Sequence, residues 1–315
     1  MRAASIDIGT NTVLLLIADI DEHGNITTLE QHQRLPRLGK NVDANKVIHP
    51  SAFDRIVWIL DEYKNLAKQL RADRVIACAT SAVRDASNQS EFLSYLKNNT
   101  GISVEVLRGD EEAIVTYLGA LSGLPSHTQQ AVVLDIGGGS TEISFQQDRG
   151  QNGDKKLEHY SFQIGSVRLT ERFLKHLPPL PPELESASQL IIEELSQVKN
   201  PGFHSYQLVG VAGTVTTLAS LDQGLNEFDP EKVHGYLLTL DRVSFWLQKL
   251  ATMTVSEIRE LSSATEGRAD ILTAGVLILH QVMKLLGFPS VLVSERGLRY
   301  GLILREWEKL RGKVA

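Results

Sequence analysis

A single cysteine, Cys78, stands among the 315 residues, so no intramolecular disulfide can form, and its apolar setting in RVIACATSA marks it as a buried core thiol suited to a reducing compartment. No apolar stretch approaches the ~20 residues of a membrane helix; VLLLIA and AGVLIL fall well short. The opening MRAASIDIGTN enters a strand-like segment without the apolar core and small-residue cleavage site of a signal peptide, so a cytoplasmic protein with no membrane partner is expected. Neither sign of charge dominates. A formal net charge of -6, with 22% charged residues, excludes a global basic field for nucleic acid, and an anionic substrate would have to meet locally clustered cations or a metal ion. The nine histidines show no H-x3-H or H-E-x-x-H spacing, which argues against zinc. Also missing are the G-x-x-x-x-G-K-[ST] run of P-loop proteins and a G-x-G-x-x-G run opening a helix.

What is present is an ordinary globular composition, 42% hydrophobic, long enough for about two domains. A weak internal repeat organises it. SIDIGTNTVLLLIADIDEHGN and VLDIGGGSTEISFQQDRGQNG each give an apolar run, Asp-Ile-Gly, a hydroxyl-rich turn, a second apolar run and a polar turn, which reads as a β-hairpin opening each half of the chain. Between them, Phe53, Ile56, Val57, Leu60, Tyr63, Leu66 and Ala67 recur at helical spacing behind a Ser51 cap. RVIACATSAVRDA reads as a strand entering a loop and helix, ISVEVL as a strand, and GDEEAIVTYLGALSGL as a loop opening a helix. LSGLPSHTQQ is the expected domain boundary. Further on, YQLVGVAGTVTTLAS reads as a buried strand, glycine turn and helix. ADILTAGVLILHQVMKLLG and LRYGLILREWEKLR read as helices flanking the strand SVLVSE. Strand and helix alternate, which favours an α/β architecture.

Four turns carry the candidate chemistry: DIGTNT (7–12), DIGGGSTE (135–142), AGTVT (212–216) and RGDEEA (108–113). Three consecutive glycines between Asp135 and Glu142 weaken a strand, so they mark a turn or a place where something approaches the main chain closely. Glycine-hydroxyl turns expose backbone N–H groups as a concave anion nest, and two facing nests suit the neighbouring phosphates of a phosphoanhydride. Asp7, Asp135 and Glu142 would offer hard oxygen ligands, directly or through water, to Mg²⁺.

At these residues the chain resembles the exopolyphosphatase and guanosine pentaphosphate phosphohydrolase (Ppx/GppA) family, within the actin, sugar kinase and Hsp70 fold group. The resemblance runs in order through IDIGTNTVLLLI, ATSAVRDASN, GDEEAIVTYLGA, DIGGGSTEI, IGSVRLTERF, AGTVTTLA, VHGYLLTL, EGRADILTAG and VSERGLRYG. It implies an α/β protein of two actin-like, ribonuclease H-like domains, residues 1–124 and 125–299, with an interdomain cleft and a last helix, about 300–315, packing back on the first. It also implies hydrolytic removal of a terminal phosphate. Glu112 matches the residue that orients the attacking water, with Glu111 a supporting or merely solvated acid, and Arg84 matches the arginine on the terminal phosphate. Gly9, Thr10 and Asn11, with Gly137, Gly138, Gly139 and Ser140, match the phosphate cradle, and Gly213 and Thr214 a third, weaker contact. Asp135 and Glu142, with Asp7, match metal-linked acids for Mg²⁺, with Mn²⁺ as the alternative ion and K⁺ as a stimulating one.

A glutamate near its reference pKa of ~4.3 is a weak base at neutral pH, so positioning is expected to outweigh proton abstraction. Three basic clusters are candidate guides for a polyanion: Arg34, Arg37 and Lys40; Arg168, Arg172 and Lys175; Arg268, Arg296 and Arg299. Arg268 and Arg299 lie in family-like segments and are taken as substrate contacts, whereas the Arg168 cluster reads as ordinary surface charge on a helix. His234 reads as structural. QHQRLPRLGKNV follows the family's arginine-leucine-glycine segment only loosely, and the chain, ending at LREWEKLRGKVA, resembles the short two-domain form. The expected function is a Mg²⁺-dependent exopolyphosphatase acting on polyphosphate. The alternatives are conversion of guanosine pentaphosphate to tetraphosphate, which would tie the protein to the stringent response, and a non-catalytic sensor. A homodimer is a further expectation from the family.

Overall fold

The two Asp-Ile-Gly hairpins open two separate sheets. The computed structural model describes residues 1–125, 128, 130–149, 154–200 and 202–312, the side chains of 148, 149, 154 and 155 excepted. It comprises two compact units, Met1–Gly123 with Arg296–Ala315, and Leu124–Glu295. The link LSGLPSHTQQ spans the change of unit, with its residues 126, 127 and 129 outside the described residues, as are 150–153 of the second hairpin's far turn and 313–315 of the last segment.

The first unit contains β1 (Arg2–Ile8), β2 (Val13–Ile20), β3 (Ile26–Arg34), α1 (Val42–Asn45), α2 (Pro50–Gln69), β4 (Arg74–Ala79), α3 (Ser81–Arg84), α4 (Gln89–Thr100), β5 (Val104–Val106) and α5 (Gly109–Leu121). Its sheet runs β3-β2-β1-β4-β5, an antiparallel meander continued by strands parallel to β1. Because side chains alternate along a strand, Ala4, Ile6 and Ile8 of β1 join Phe53, Ile56, Leu60 and Tyr63 of α2 in one core. Ala3, Ser5 and Asp7 point to the other face, where Ser5 donates to the Arg299 carbonyl at 2.9 Å. The cap of α2 differs from expectation. His49, not Ser51, is the N-cap and accepts from the Ser51 N–H, because Pro50 supplies a first helical position that has no N–H to satisfy. Ser51 therefore sits inside the helix.

The second unit contains β6 (Ala131–Ile136), β7 (Thr141–Arg149), β8 (Asp154–Phe162), α6 (Ser166–Arg172), α7 (Pro181–Leu195), β9 (Gln207–Val211), α8 (Ala212–Asp222), α9 (Pro230–Val233), β10 (Leu237–Thr239), α10 (Leu240–Leu250), α11 (Val255–Glu260), α12 (Leu272–Leu286) and β11 (Ser290–Val293). Its sheet order, β10-β11-β9-β6-β7-β8, repeats the first design: a β6-β7-β8 meander, then β9 and β11 parallel to β6, with β10 added antiparallel at the edge. Val132, Leu134 and Ile136 face the core that α8 and α12 complete, so Asp135 faces the other way.

The chain then returns to the first unit as α13 (Leu298–Leu310), which packs on α5, β1 and β2. Two glycines allow the α5–α13 crossing to close to backbone contact. A methyl on Gly301 would lie 1.8 Å from the Val115 carbonyl oxygen, and one on Gly119 would lie 2.0 Å from that of Gly297.

Candidate active site

Segment 108–113, expected as a turn, is the start of a helix. Arg108 is the N-cap of α5, and Asp110, Glu111 and Glu112 fill its first turn, where the helix dipole favours anions. The two glutamates then diverge. Glu111 closes the cap by accepting from the Arg108 N–H at 3.0 Å and pairs with the Arg108 side chain at 3.2 Å. Glu112 is buried and accepts from Arg84 Nη1 at 2.8 Å, while the same Nη1 donates to the Leu107 carbonyl at 2.8 Å. Burial pushes the Glu112 carboxyl above its ordinary range, and Arg84 opposes that shift without cancelling it. Glu112 is therefore a stronger base than the sequence led us to expect.

Asp7, at the end of β1, belongs to the same charged group. Burial raises its pKa to about 7, the nearby Glu112 charge adds to the rise, and Arg299 on α13 counters it. Asp7 Oδ1 is buried without a hydrogen-bond partner, and so is Arg84 Nη2. A buried polar atom left without a partner is costly unless a ligand completes it: a cation suits the carboxylate oxygen and an anion suits the guanidinium nitrogen. Arg299 itself is turned inward, with Nη1 donating to the Leu15 carbonyl at 3.2 Å and to Gln31 Oε1 at 3.0 Å.

The loop after Asp7 is closed by the Gly9 N–H donating to the Thr12 carbonyl at 2.9 Å. Its Thr10 hydroxyl shares a buried 2.9 Å hydrogen bond with Ser81 of α3, the helix that carries Arg84. The turn after β3 braces this loop from behind, because Gly39 N–H donates to the Thr10 carbonyl at 2.7 Å and Arg37 N–H to the Asn11 carbonyl at 3.1 Å. Arg37 and Asn41 hold positive φ, 52° and 61°, to make that turn.

The second unit repeats the loop with a different brace. Gly137 N–H donates to the Ser140 carbonyl at 3.0 Å, and Asp135 lies directly opposite Glu142 across the hairpin, so both carboxylates share one face. Glu142 is buried and accepts from the Ser161 hydroxyl at 2.8 Å. Behind the loop, the start of α6 binds its carbonyls: Ser166 N–H donates to Gly137 at 2.9 Å, Val167 N–H to Gly138 at 2.9 Å, and Arg168 Nε to Gly139 at 2.6 Å. The third turn forms where β9 enters α8. Ala212 adopts φ 66°, and Gly213 admits the buried Arg268, whose Nη1 would lie 1.6 Å from a methyl there. Thr214 packs against Gly275 in the same way, and burial lowers the Arg268 pKa to about 10.

Comparison with known proteins adds to this geometry. The family model described as the Ppx/GppA phosphatase family matches residues 16–310. The chain belongs to the Ppx/GppA family. Members of that family are phosphoanhydride hydrolases, and the protein is an enzyme of that class with the actin-like fold. It is 34% identical over 321 residues to exopolyphosphatase 2 of Mycobacterium tuberculosis, covering 96% of this chain and 98% of that one. The Ppx/GppA family member from Aquifex aeolicus is similar in structure, with 33% identity, a TM-score of 0.80 and coverage of 100% of this chain and 99% of that one. An exopolyphosphatase from Cytophaga hutchinsonii superposes with a TM-score of 0.86 at 29% identity, over 99% of this chain and 98% of that one.

Within this Ppx/GppA protein, Arg172 and Lys175 are exposed, as expected of surface charge, but the expectation for Arg168 is corrected. Arg168 is 5% exposed and bound to the glycine loop, because α6 sits against that loop rather than in solvent. Arg34 is paired with Glu62, and Arg296 lies over the Tyr300 ring at 4.8 Å. Neither is a free guide for an anion. The braces at Gly39 and Gly165 went unrecognised in the sequence, where the only signal was a glycine a few residues past the third strand of each meander. Among the described residues no group of three or more ligating side chains gathers to hold a metal. Mg²⁺ does not require one, since it binds through one or two carboxylates and completes its shell with water and substrate oxygens. Asp135 and Glu142, opposite one another across the β6–β7 hairpin, fit that pattern.

Proposed function

We propose that the protein is a Mg²⁺-dependent exopolyphosphatase in which Glu112 orients the water that attacks a terminal phosphorus. The observation that carries this reading is the ion pair of half-buried Arg84 with buried Glu112, 2.8 Å apart, with Arg84 Nη2 still lacking a partner. One guanidinium edge fixes the carboxylate, and the other can take an equatorial phosphate oxygen as charge develops there. Glu112, lifted by burial, holds the water by one carboxylate oxygen and receives its proton. The loops at 9–12 and 137–140 bind phosphate oxygens through backbone N–H groups. Mg²⁺, for which Asp135 and Glu142 are the candidate ligands, would supply charge neutralisation and Lewis acidity. The similarity to proteins named exopolyphosphatase favours polyphosphate over guanosine pentaphosphate as substrate.

The test is phosphate release with Mg²⁺ from long polyphosphate, tripolyphosphate, guanosine pentaphosphate and ATP, by the wild type and Glu112→Gln. Polyphosphate is expected to be cleaved fastest, with turnover falling by about 10²-fold or more in the variant. Undiminished release by a folded Glu112→Gln protein would remove Glu112 from its role. Preference for guanosine pentaphosphate would select the second substrate class, and binding without release would select the sensor.

A further inference from the structure

We propose that Arg168 is a positioning residue that sets the peptide planes of the triple-glycine loop, rather than a cation that contacts substrate. The proposal rests on the phosphate-binding reading of that loop. Glycine peptides rotate with little steric resistance, so a Gly-Gly-Gly run has no side chain to decide which way each N–H points. Each peptide is planar and trans here, the described cis bond lying elsewhere at Leu177–Pro178, so fixing a carbonyl fixes the next residue's N–H on the opposite side. Three successive carbonyls are held on one side. Ser166 N–H holds that of Gly137, Val167 and Arg168 N–H hold that of Gly138 at 2.9 and 3.1 Å, and Arg168 Nε holds that of Gly139 at 2.6 Å. The N–H groups of Gly138, Gly139 and Ser140 therefore point together to the other side. No protein hydrogen bond takes them among the described residues.

The last of these planes, which aims the Ser140 N–H, is held by a side chain, and that chain is nine-tenths buried or more. Without this bond the Gly139–Ser140 peptide can turn its carbonyl toward a bound anion and repel it. Gly165 explains how α6 comes close enough, since a methyl there would lie 2.5 Å from the Gly138 carbonyl carbon and oxygen.

The chain position of the donor makes the idea testable. Gln carries an N–H donor at the atom where Arg has Nε, whereas Lys and Met place a carbon there. Arg168→Gln, Arg168→Lys and Arg168→Met are compared with wild type for tripolyphosphate KM and kcat, for inhibition by inorganic phosphate, and for the amide ¹H–¹⁵N signals of Gly138, Gly139 and Ser140. Arg168→Met is expected to raise KM and the phosphate inhibition constant about tenfold, the scale of one lost charge-assisted hydrogen bond, and to broaden or split those amide signals. Arg168→Gln should recover most of both and exceed Arg168→Lys. Should Arg168→Met fail to fold, the ranking of Gln against Lys still decides. Lys above Gln means that the charge itself matters and overturns the proposal, as do variants that all behave like wild type. A wild type that orders the loop but does not cleave polyphosphate would sink the exopolyphosphatase reading and leave the amide test standing.

Discussion

The loops at 9–12 and 137–140 have the same closing hydrogen bond, the same position after a first strand and the same kind of brace behind them, yet they are built from opposite materials. In the first unit the loop bears side chains, Asp7 faces Leu14 across the hairpin, and the brace is a strained turn that donates only backbone N–H groups. In the second the loop is bare glycine, Asp135 faces Glu142, and the brace is a helix start with a buried arginine. The first unit can hold its loop through Thr10 and Ser81, so a backbone turn is enough. The second has no side chain to hold in residues 137–139, and the missing constraint comes from Arg168. The buried atoms Asp7 Oδ1 and Arg84 Nη2, which lack a hydrogen-bond partner, lie with Glu112 in the first unit, while the N–H groups of the glycine run lie in the second. In the proposed reaction the water-holding groups thus belong to the first half alone, whereas each half supplies a phosphate loop.

The largest expected effect tests that division at α5. Glu112→Gln should lower kcat by about 10²-fold or more with little change in KM, whereas Glu111→Ala, one residue away, should cost about 0.5–1 kcal/mol of stability through its lost cap and leave kcat within a few-fold. Parallel kinetics and denaturant melts of the two variants check this. Equal losses of turnover would mean that the first turn of α5 acts as a diffuse acidic patch.

The braces come next. Gly165→Ala drives a methyl into backbone at 2.5 Å, and Gly39→Ala drives one into Thr10 Cγ2 at 2.2 Å, with the Thr10 carbonyl at 3.1 Å. Both should destabilise by about 1–3 kcal/mol or more. Only the second should be eased by a partner change: Thr10→Ser removes the offending methyl, so Gly39→Ala with Thr10→Ser should recover at least about half of the loss. Urea unfolding of the single and double variants measures it. If a second-site change in the 137–140 loop rescues Gly165→Ala as well, the two braces are more alike than their atoms indicate.

How far the sequence alone reached follows the same line. The paired hairpins, the apolar face of α2 and the strand-helix alternation were legible because each is written in local periodicity and turn chemistry. The burial of Arg168 was not, since RLTER reads as a solvated helix face unless the loop 29 residues earlier is known to lie against it. The need for glycine at 39 and 165 is not legible either, because what requires it is a neighbouring backbone or side chain far away in sequence. Ser51 reads as a cap on composition, but with Pro50 at the first helical position the cap falls two residues earlier, at His49. The acids of RGDEEA looked like a loop because glycine precedes them, but the helix begins at that glycine. Charge arrangement was the least legible of all. The different surroundings of Glu111 and Glu112 depend on which face of α5 meets Arg84, and no alignment of types at adjacent positions encodes that.

Asp7 offers an intermediate effect with a defined sign. Its folded pKa of about 7 lies above the ordinary carboxyl value, so the metal-free fold holds a proton there that the unfolded chain releases. Its contribution to stability is full below about pH 4 and is lost as pH rises toward 7. Asp7→Asn should therefore be more stable than wild type at pH 7.5 by on the order of 2–4 kcal/mol without Mg²⁺, with the gap closing toward pH 4. Melts across that range in chelator test the window. A gap independent of pH would assign the effect to packing.

The smallest effect sharpens the contrast between the strand-to-helix junctions that follow each loop. In the first unit Thr80 passes from β4 to α3 at φ -119°, an unstrained value, whereas Ala212 passes from β9 to α8 at φ 66°, where a side chain meets the following carbonyl. The left-handed conformation costs a non-glycine residue about 1–2 kcal/mol, and glycine gives back about 0.4–1 kcal/mol of that through the freedom of its unfolded chain. Ala212→Gly should then gain about 0.5 kcal/mol, a rise of 1–2 °C in Tm. Ala212→Val should lose more than 1 kcal/mol, since β-branching makes the same φ harder to hold. The turnover of Ala212→Gly distinguishes two origins of the strain. If the gain in stability leaves KM for polyphosphate unchanged, the junction is a by-product of admitting Arg268 beside Gly213. A rise in KM means that the strained alanine holds the Gly213 and Thr214 backbone in place for a bound phosphate, and that the second unit controls its backbone at two points rather than one.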